Sequence, residues 1–239
     1  MKYFLFVLVI LTSLPGIFAQ ENVQTYFDIG ENNVSEGIYI KNTYRGIYQY
    51  SKYKVEAGIQ LDLLSNNPNT LTGFDVLGSR EFMIENFLFE VKGFFMLNRF
   101  SDLMHETNWG FRIATKNLNY FLFELGANSR TYALNNSFKE EYNLSKSNCK
   151  LNENFNLTYV ITAYLKPQDY NWNVGFSCTN VDYYVINQST NPVFNMQILY
   201  KLKSNLLLNL SAWYKQAGIF NINANYFGYF FRGGLSWKI

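Results

Sequence analysis

Hydrophobic and polar residues alternate along most of this chain, and the clearest case runs from residue 53 to residue 63. One face collects Tyr53, Val55, Ala57, Ile59, Leu61 and Leu63, and the other collects Lys54, Glu56, Gly58, Gln60 and Asp62. A period of two is that of a β-strand, because successive side chains of a strand point to opposite faces. The segment therefore predicts a strand with one apolar and one polar face.

The same alternation recurs through the rest of the sequence. The predicted strands are 23–30, 36–50, 53–64, 70–77, 82–97, 107–116, 120–133, 154–166, 169–180, 192–202, 205–216 and 228–239. The first and the fourth have the weakest pattern, so twelve strands are predicted and ten are the alternative. No linker rich in Pro, Gly or Ser divides the strands, which favours a single domain.

The connections between these strands are of two kinds. Short polar turns are predicted at 51–52, 78–81, 116–119, 167–169 and 203–205, and long polar segments at 98–106, 134–153, 180–191 and 217–227. Short and long connections alternate, as they do in outer-membrane barrels with short periplasmic turns and long outward loops. The pattern predicts an all-β fold, a closed antiparallel up-and-down transmembrane β-barrel.

The first residues have the form of a secretory signal peptide. Lys2 precedes an apolar run over 3–11, a Pro15-Gly16 break follows, and Ala19 supplies the small residue of a cleavage site. The apolar run is too short to cross a bilayer as a helix. We expect cleavage after Ala19, which leaves 20–239 as one exported barrel domain.

Composition supports a membrane barrel. Aromatic residues make up 19% of the chain and charged residues 16%, against about 25% charged residues in an ordinary soluble domain. A soluble β-sandwich or a lipocalin-like barrel also alternates, but aromatic residues at strand ends, such as Trp109 and Tyr214, are typical of a membrane girdle. The net charge of +2 indicates no nucleic-acid partner.

The polar faces of the strands are the best lead to function. Strand parity predicts that these ionisable residues line the lumen: Glu56, Asp62, Glu90, Lys92, Arg112, Glu124, Lys201, Lys215 and Arg232. Mixed charges can line a narrow polar pore, or they can pair into a plug, and bulky Phe94, Met96 and Trp213 favour partial occlusion. The two alternatives stay open at this point.

The last nine residues, Phe231 to Ile239, resemble the C-terminal strand by which bacterial outer-membrane proteins are recognised by the barrel-assembly machinery. Phe231, Leu235, Trp237 and Ile239 share one face and would form the assembly signal. Family members usually end in Phe or Trp, whereas this chain ends in Ile, two residues after its Trp. The resemblance implies the cell outer membrane as the location, with outer-membrane lipid and the assembly machinery as partners.

A second resemblance concerns residues 171–238. Their strand pattern, with the segment Phe220 to Tyr226, is similar to the accessory barrels of the type IX secretion and gliding apparatus. This similarity implies a non-enzymatic scaffold that contacts other envelope proteins. The main functional prediction is a porin-like channel for small hydrophilic solutes, and the accessory barrel is the alternative.

Enzymatic chemistry is not predicted. The single histidine, His105, lies in a polar segment with Asp102 and Glu106, an arrangement that resembles the Asp-His pair of omptin proteases. Those enzymes need a second acidic pair, which no motif here identifies, so His105 is expected to be a solvated loop residue. With one histidine and two cysteines, no metal site and no cofactor are predicted.

The two cysteines leave one alternative open. Cys149 and Cys178 could form a single disulfide bond in an oxidising compartment. Parity instead places Cys178 on the lipid-facing side of its strand, beside Trp172 and Phe176, which argues against the bond.

Overall fold

A computed structural model describes residues 20–32, 38–64, 71–99, 104–144, 150–167, 170–180, 192–215 and 228–239. The strands are β1 (Gln20–Asn32), β2 (Ile38–Tyr50), β3 (Tyr53–Asp62), β4 (Leu71–Ile84), β5 (Phe87–Arg99), β6 (Met104–Thr115), β7 (Phe121–Leu134), β8 (Lys150–Tyr164), β9 (Trp172–Thr179), β10 (Val193–Lys203), β11 (Leu206–Lys215) and β12 (Gly228–Lys238). One short helix, α1 (Asn136–Glu141), follows β7. Both the signal peptide predicted at 1–19 and Cys149 lie outside the described residues.

The twelve strands form one closed antiparallel barrel, which confirms the predicted fold class and the higher of the two strand counts. Each strand pairs with its neighbours in the chain, and β1 closes the ring by pairing with β12 from Asn22↔Lys238 to Asn32↔Gly228. Closure leaves no strand edge unpaired within the ring, which is how a sheet satisfies its backbone groups without water.

Burial in this barrel is inverted relative to a soluble protein. The buried side chains are mostly polar or charged, including Asp28, Gln60 and Glu90 at 1%, 1% and 2% exposure. Large apolar side chains cover the outside, with Leu125 and Leu157 about 70% exposed. Water favours the opposite arrangement, because contiguous exposed apolar surface is costly. A lipid exterior and a polar interior account for both observations.

One predicted turn is wrong. The sequence placed a turn at 78–81, whereas β4 continues through these residues to Ile84 and turns at Glu85-Asn86. Glu85 takes the left-handed conformation, with φ of 52°, as the first residue of a tight two-residue hairpin often does. Gly78 resembled a turn residue, but it lies in mid-strand opposite Gly93.

The predicted long segments are shorter than expected where the structure describes them. β5 reaches Arg99 and β6 begins at Met104, so most of 98–106 is strand rather than loop. The segment 134–153 contains α1, and β8 begins at Lys150. Residues 181–191 and 217–227 lie outside the described part. Within that part, no helix has the length and hydrophobicity to cross a membrane.

The inverted burial predicts a depth-dependent cost for a charge on the outer face. Leu157 lies at the middle of β8 and Tyr53 at the end of β3 beside a turn, and both point outwards. In lipid vesicles, we expect Leu157→Arg to lower the free energy of unfolding by about 2–4 kcal/mol, and Tyr53→Arg by about 0–1 kcal/mol. Denaturant titration of the refolded barrels measures both free energies of unfolding. A loss of about 0–1 kcal/mol in both variants would contradict a lipid exterior.

Candidate functional site: the polar interior of the barrel

The ionisable residues predicted from parity fall on the interior register of the barrel. Glu56, Glu90, Arg112 and Glu124 are buried there. Asp62 and Lys201 are more exposed and lie near opposite ends of the barrel. Lys215 ends β11 opposite Val193, and its side chain is not described. Whether these residues line a solute path stays a prediction.

Charged side chains on β2 to β7 join into a continuous network. Arg45 contacts Asp75 at 2.6 Å and Glu56 at 3.3 Å. Lys54 then bridges two acids, with its Nζ 3.0 Å from Glu56 and 3.3 Å from Glu90. Because Glu56 and Glu90 each lie beside two or more bases, their charges are compensated, as buried ionised groups require.

The network continues from Glu90 towards β7. Lys92 lies 3.6 Å from Glu90 and also contacts Glu124. Arg112 reaches Glu124 at 3.5 Å, and Lys116 reaches Glu90 at 3.4 Å. The network thus gathers around Glu90.

A neutral hydrogen bond completes the surroundings of Glu90. The Ser79 hydroxyl donates to its carboxylate at 2.6 Å. Glu90 therefore has a hydroxyl donor as well as three ammonium groups, those of Lys54, Lys92 and Lys116. Several hydrogen bonds and ion pairs to one carboxylate fix its orientation.

These ion pairs follow the wall of the barrel instead of crossing its centre. Arg45 on β2 and Asp75 on β4 lie two strands apart, as do Lys92 on β5 and Glu124 on β7. The side chains of Arg45, Lys54 and Lys116 remain 24–34% exposed. Solvent therefore reaches the network from the inside of the barrel.

The opposite wall carries mainly uncharged polar groups. Interior positions of β8 to β11 present Thr158, Thr162, Tyr164, Asn173, Ser177, Thr179, Asn195, Gln197, Asn209 and Ser211. Gln197 donates to the Tyr164 hydroxyl across β9, at 3.4 Å. Amide and hydroxyl groups can both donate and accept hydrogen bonds, so this wall can hydrate a polar solute without binding a particular charge.

Aromatic rings narrow the interior at β11 and β12. Trp213 and Phe230 stack with their ring centroids 5.4 Å apart and an interplanar angle of 10°. The Trp213 indole donates to the Ser211 hydroxyl at 3.1 Å, which fixes the ring against the wall. Across the barrel, Phe94 packs under the Arg112 guanidinium at 4.6 Å, and Met96 is buried. Phe94, Met96 and Trp213 are the bulky interior residues expected from the sequence, and Phe230 adds to them.

A separate ion pair joins the first and last strands. Arg232 of β12 binds Asp28 of β1 through two hydrogen bonds, of 2.7 and 2.9 Å. The guanidinium also lies 5.0 Å from the Tyr26 ring and 5.6 Å from the Phe230 ring. This arrangement is bidentate and flanked by aromatic rings, the geometry in which Arg is hardest to replace. It lies where the barrel closes.

Several members of the interior were missed at the level of sequence. Arg45 lies on β2, where Tyr and Ile occupy both faces and obscure the alternation. Asp75 fell in a strand that was predicted too short, and Asp28 in the weakest strand. Glu106 was assigned to a loop, although steps of two from Arg112 lead directly to it. Extending the alternating pattern of β6 to its full length would have predicted Glu106 as an interior residue.

The structure changes the interpretation of His105. It is a strand residue on the outer face of β6, and its Nδ1 lies 2.8 Å from Asn135 Oδ1. Glu106, its expected acidic partner, points into the barrel and pairs with Arg130 at 3.3 Å. Consecutive strand residues face opposite sides, so Glu106 cannot orient His105. Asp102 lies outside the described residues.

The disulfide between Cys149 and Cys178 and the C-terminal assembly signal both stay predictions. Cys178 faces outwards near Tyr159, with 3.9 Å between sulfur and hydroxyl oxygen, and its proposed partner Cys149 is not described. In β12, Phe231, Leu235 and Trp237 point outwards, and Ile239 follows the strand. Their role as an assembly signal stays a prediction.

The chain matches no family model and no curated protein. Among solved structures, it is similar to an outer-membrane channel from Pseudomonas putida F1, with 9% identity, a TM-score of 0.56 and coverage of 95% of this chain and 97% of that chain. The similarity to the NanC porin has 10% identity, a TM-score of 0.55 and coverage of 90% of this chain and 100% of that chain. The similarity to the KdgM porin, solved in complex with disordered oligogalacturonate, has 10% identity, a TM-score of 0.51 and coverage of 90% of this chain and 99% of that chain. At such identities the similarity shows the fold, that of outer-membrane β-barrels.

The pair between Asp28 and Arg232 predicts strong coupling. Asp28→Leu leaves a guanidinium without its carboxylate and should cost about 3 kcal/mol of unfolding free energy, whereas adding Arg232→Met should recover much of the loss. Unfolding of the three variants and the unchanged protein in lipid vesicles gives the coupling energy. Additive losses would contradict a stabilising role for the pair at barrel closure.

Proposed function

We propose that this protein is an outer-membrane channel that conducts small hydrophilic solutes by diffusion through the barrel. The observation that carries the proposal is the charged interior network, whose ion pairs follow the wall and whose Arg45, Lys54 and Lys116 side chains are 24–34% exposed. Structural similarity to porins and channels is compatible with the proposal, but it supports the fold alone.

Barrel size and the arrangement of ion pairs favour a channel over a plug. Eight-stranded barrels are filled by side chains, and sixteen-stranded barrels leave an aqueous channel. In a barrel of twelve strands, the size of the interior side chains decides whether a channel remains open. The named ion pairs link strands one or two places apart, so none of them spans the axis of the barrel. A plug requires side chains or loops that meet across the axis.

We further propose that His105 and Glu106 do not form a hydrolytic pair at the rim of the barrel. The sequence suggested one histidine with two acidic neighbours, and the strand separates His105 from Glu106 on opposite faces. The His105 ring instead contacts the amide of Asn135. In an Asp-His pair the carboxylate orients the imidazole and stabilises its protonated form, and a neutral amide does not supply that negative charge.

Conductance of the purified barrel in a planar lipid bilayer tests the channel. We expect single-channel currents for the unchanged protein and a larger conductance for Trp213→Ala, because the indole narrows the interior. The control is Trp109→Ala, which removes an indole from the outer face and should leave conductance unchanged. Absence of current at every voltage would contradict the channel and favour the accessory scaffold.

Charge balance in the network predicts weak ion selectivity. Five acids and five bases take part: Glu56, Asp75, Glu81, Glu90 and Glu124 with Arg45, Lys54, Lys92, Arg112 and Lys116. Removing a negative charge from a narrow pore favours anions, and removing a positive charge favours cations. We expect Glu90→Gln to shift the reversal potential in a KCl gradient towards anions, and Lys92→Gln towards cations.

The matched control for both variants is Glu140→Gln, which removes a charge from the exposed face of α1. It should leave the reversal potential where it is in the unchanged protein. Identical reversal potentials for Glu90→Gln and Lys92→Gln would place the network outside the path of the ions.

A further inference from the structure

A pocket with a polar rim opens on the outer face of the barrel at the end with the long connections. Its volume is about 490 Å³. Arg99, the last residue of β5, lies directly opposite His105 of β6 in the register. The pair is two positions beyond Leu97↔Thr107 and four beyond Phe95↔Trp109, whose rings are exposed on the outside. Arg99 and His105 are therefore outward-facing groups just beyond the apolar band.

The pocket combines an apolar wall with hydrogen-bonding groups. Leu71, Phe74 and Leu97 form the wall on the barrel side, and Ser137 of α1 lies at the rim. Phe74 and Leu97 each have about two fifths of their surface exposed on the outer face. The pocket thus offers both a surface for hydrocarbon and groups that can bind an anion.

The contact between β6 and the start of α1 orients the histidine. Asn135 Oδ1 can only accept a hydrogen bond, so the His105 Nδ1 carries the proton and donates at 2.8 Å. This leaves Nε2 as the nitrogen that faces a ligand. Arg99 presents the N–H donors for an oxyanion, and Ser137 adds a hydroxyl group.

We propose that this pocket binds the phosphate-bearing headgroup of a membrane lipid. A guanidinium binds phosphate oxygens through paired hydrogen bonds, and a hydroxyl group such as that of Ser137 can add another. The lipid is favoured over free phosphate because the ligand would also cover Leu71, Phe74 and Leu97, which inorganic phosphate leaves exposed. The pocket lies at the end of the apolar band, where headgroups meet the protein.

Native mass spectrometry of the full barrel in detergent tests the proposal. The probe is phosphatidylglycerol, and the comparisons are diacylglycerol with the same acyl chains and inorganic phosphate. We expect adducts with phosphatidylglycerol, and about a tenfold or greater loss of affinity in Arg99→Gln, since hydrogen bonds to charged groups are lost. Arg99→Lys keeps the charge without the paired donors, so its affinity for phosphatidylglycerol should lie between that of the unchanged protein and that of Arg99→Gln.

The matched control is Arg80→Gln, which removes an outward-facing arginine near the opposite end of the barrel, beside Tyr53. Its affinity for phosphatidylglycerol should equal that of the unchanged protein. Circular dichroism of each variant confirms that the barrel is folded, and His105→Gln provides an independent loss of binding if Arg99→Gln does not fold. Equal affinity in all variants, equal affinity for diacylglycerol, or inorganic phosphate that binds as tightly as the lipid would each overturn the proposal.

Discussion

The closure of the hydrogen-bonded ring is the constraint on which the rest of this structure depends. A strand in hydrocarbon has no water to satisfy its backbone groups, so each edge must pair with another strand. Here β12 meets β1 along the length of both strands, and the pair between Asp28 and Arg232 lies on the inner side of that seam. Until the last strand is in place, β1 and β11 each lack one neighbour and the ring stays open.

Closure also determines where polar groups can lie. Once the ring is complete, alternate residues of every strand face either lipid or the interior, and a charged residue placed within a strand must be compensated inside. On β2 to β7 this compensation comes from acids and bases that alternate around Glu90. On β8 to β11 amide and hydroxyl groups predominate, so one wall of the interior is rich in ion pairs and the other carries mainly uncharged polar groups.

The features that could be predicted from sequence are those that depend on neighbours in the chain. β3 was expected to start at Tyr53 and does so, because its alternation is unbroken. β4 was predicted too short, since Gly78 and Ser79 suggested a turn, while Glu85 and Asn86 form it. Contacts across two strands, such as Arg45 with Asp75, depend on how far each strand is staggered, which alternation does not specify. The His105 contact with Asn135 depends on the path of the chain after β7 and had no local signal.

The central claim is that one face of each strand meets water inside the barrel while the other meets lipid. Single cysteines along β10 test it in vesicles, in a protein whose Cys149 and Cys178 are replaced by serine, with a water-soluble thiol reagent. The account predicts that positions 195, 197 and 199 react and that positions 194, 196 and 198 do not. Unreactive inward positions would indicate a dry, sealed interior, and reactive outward positions would contradict a lipid-facing exterior.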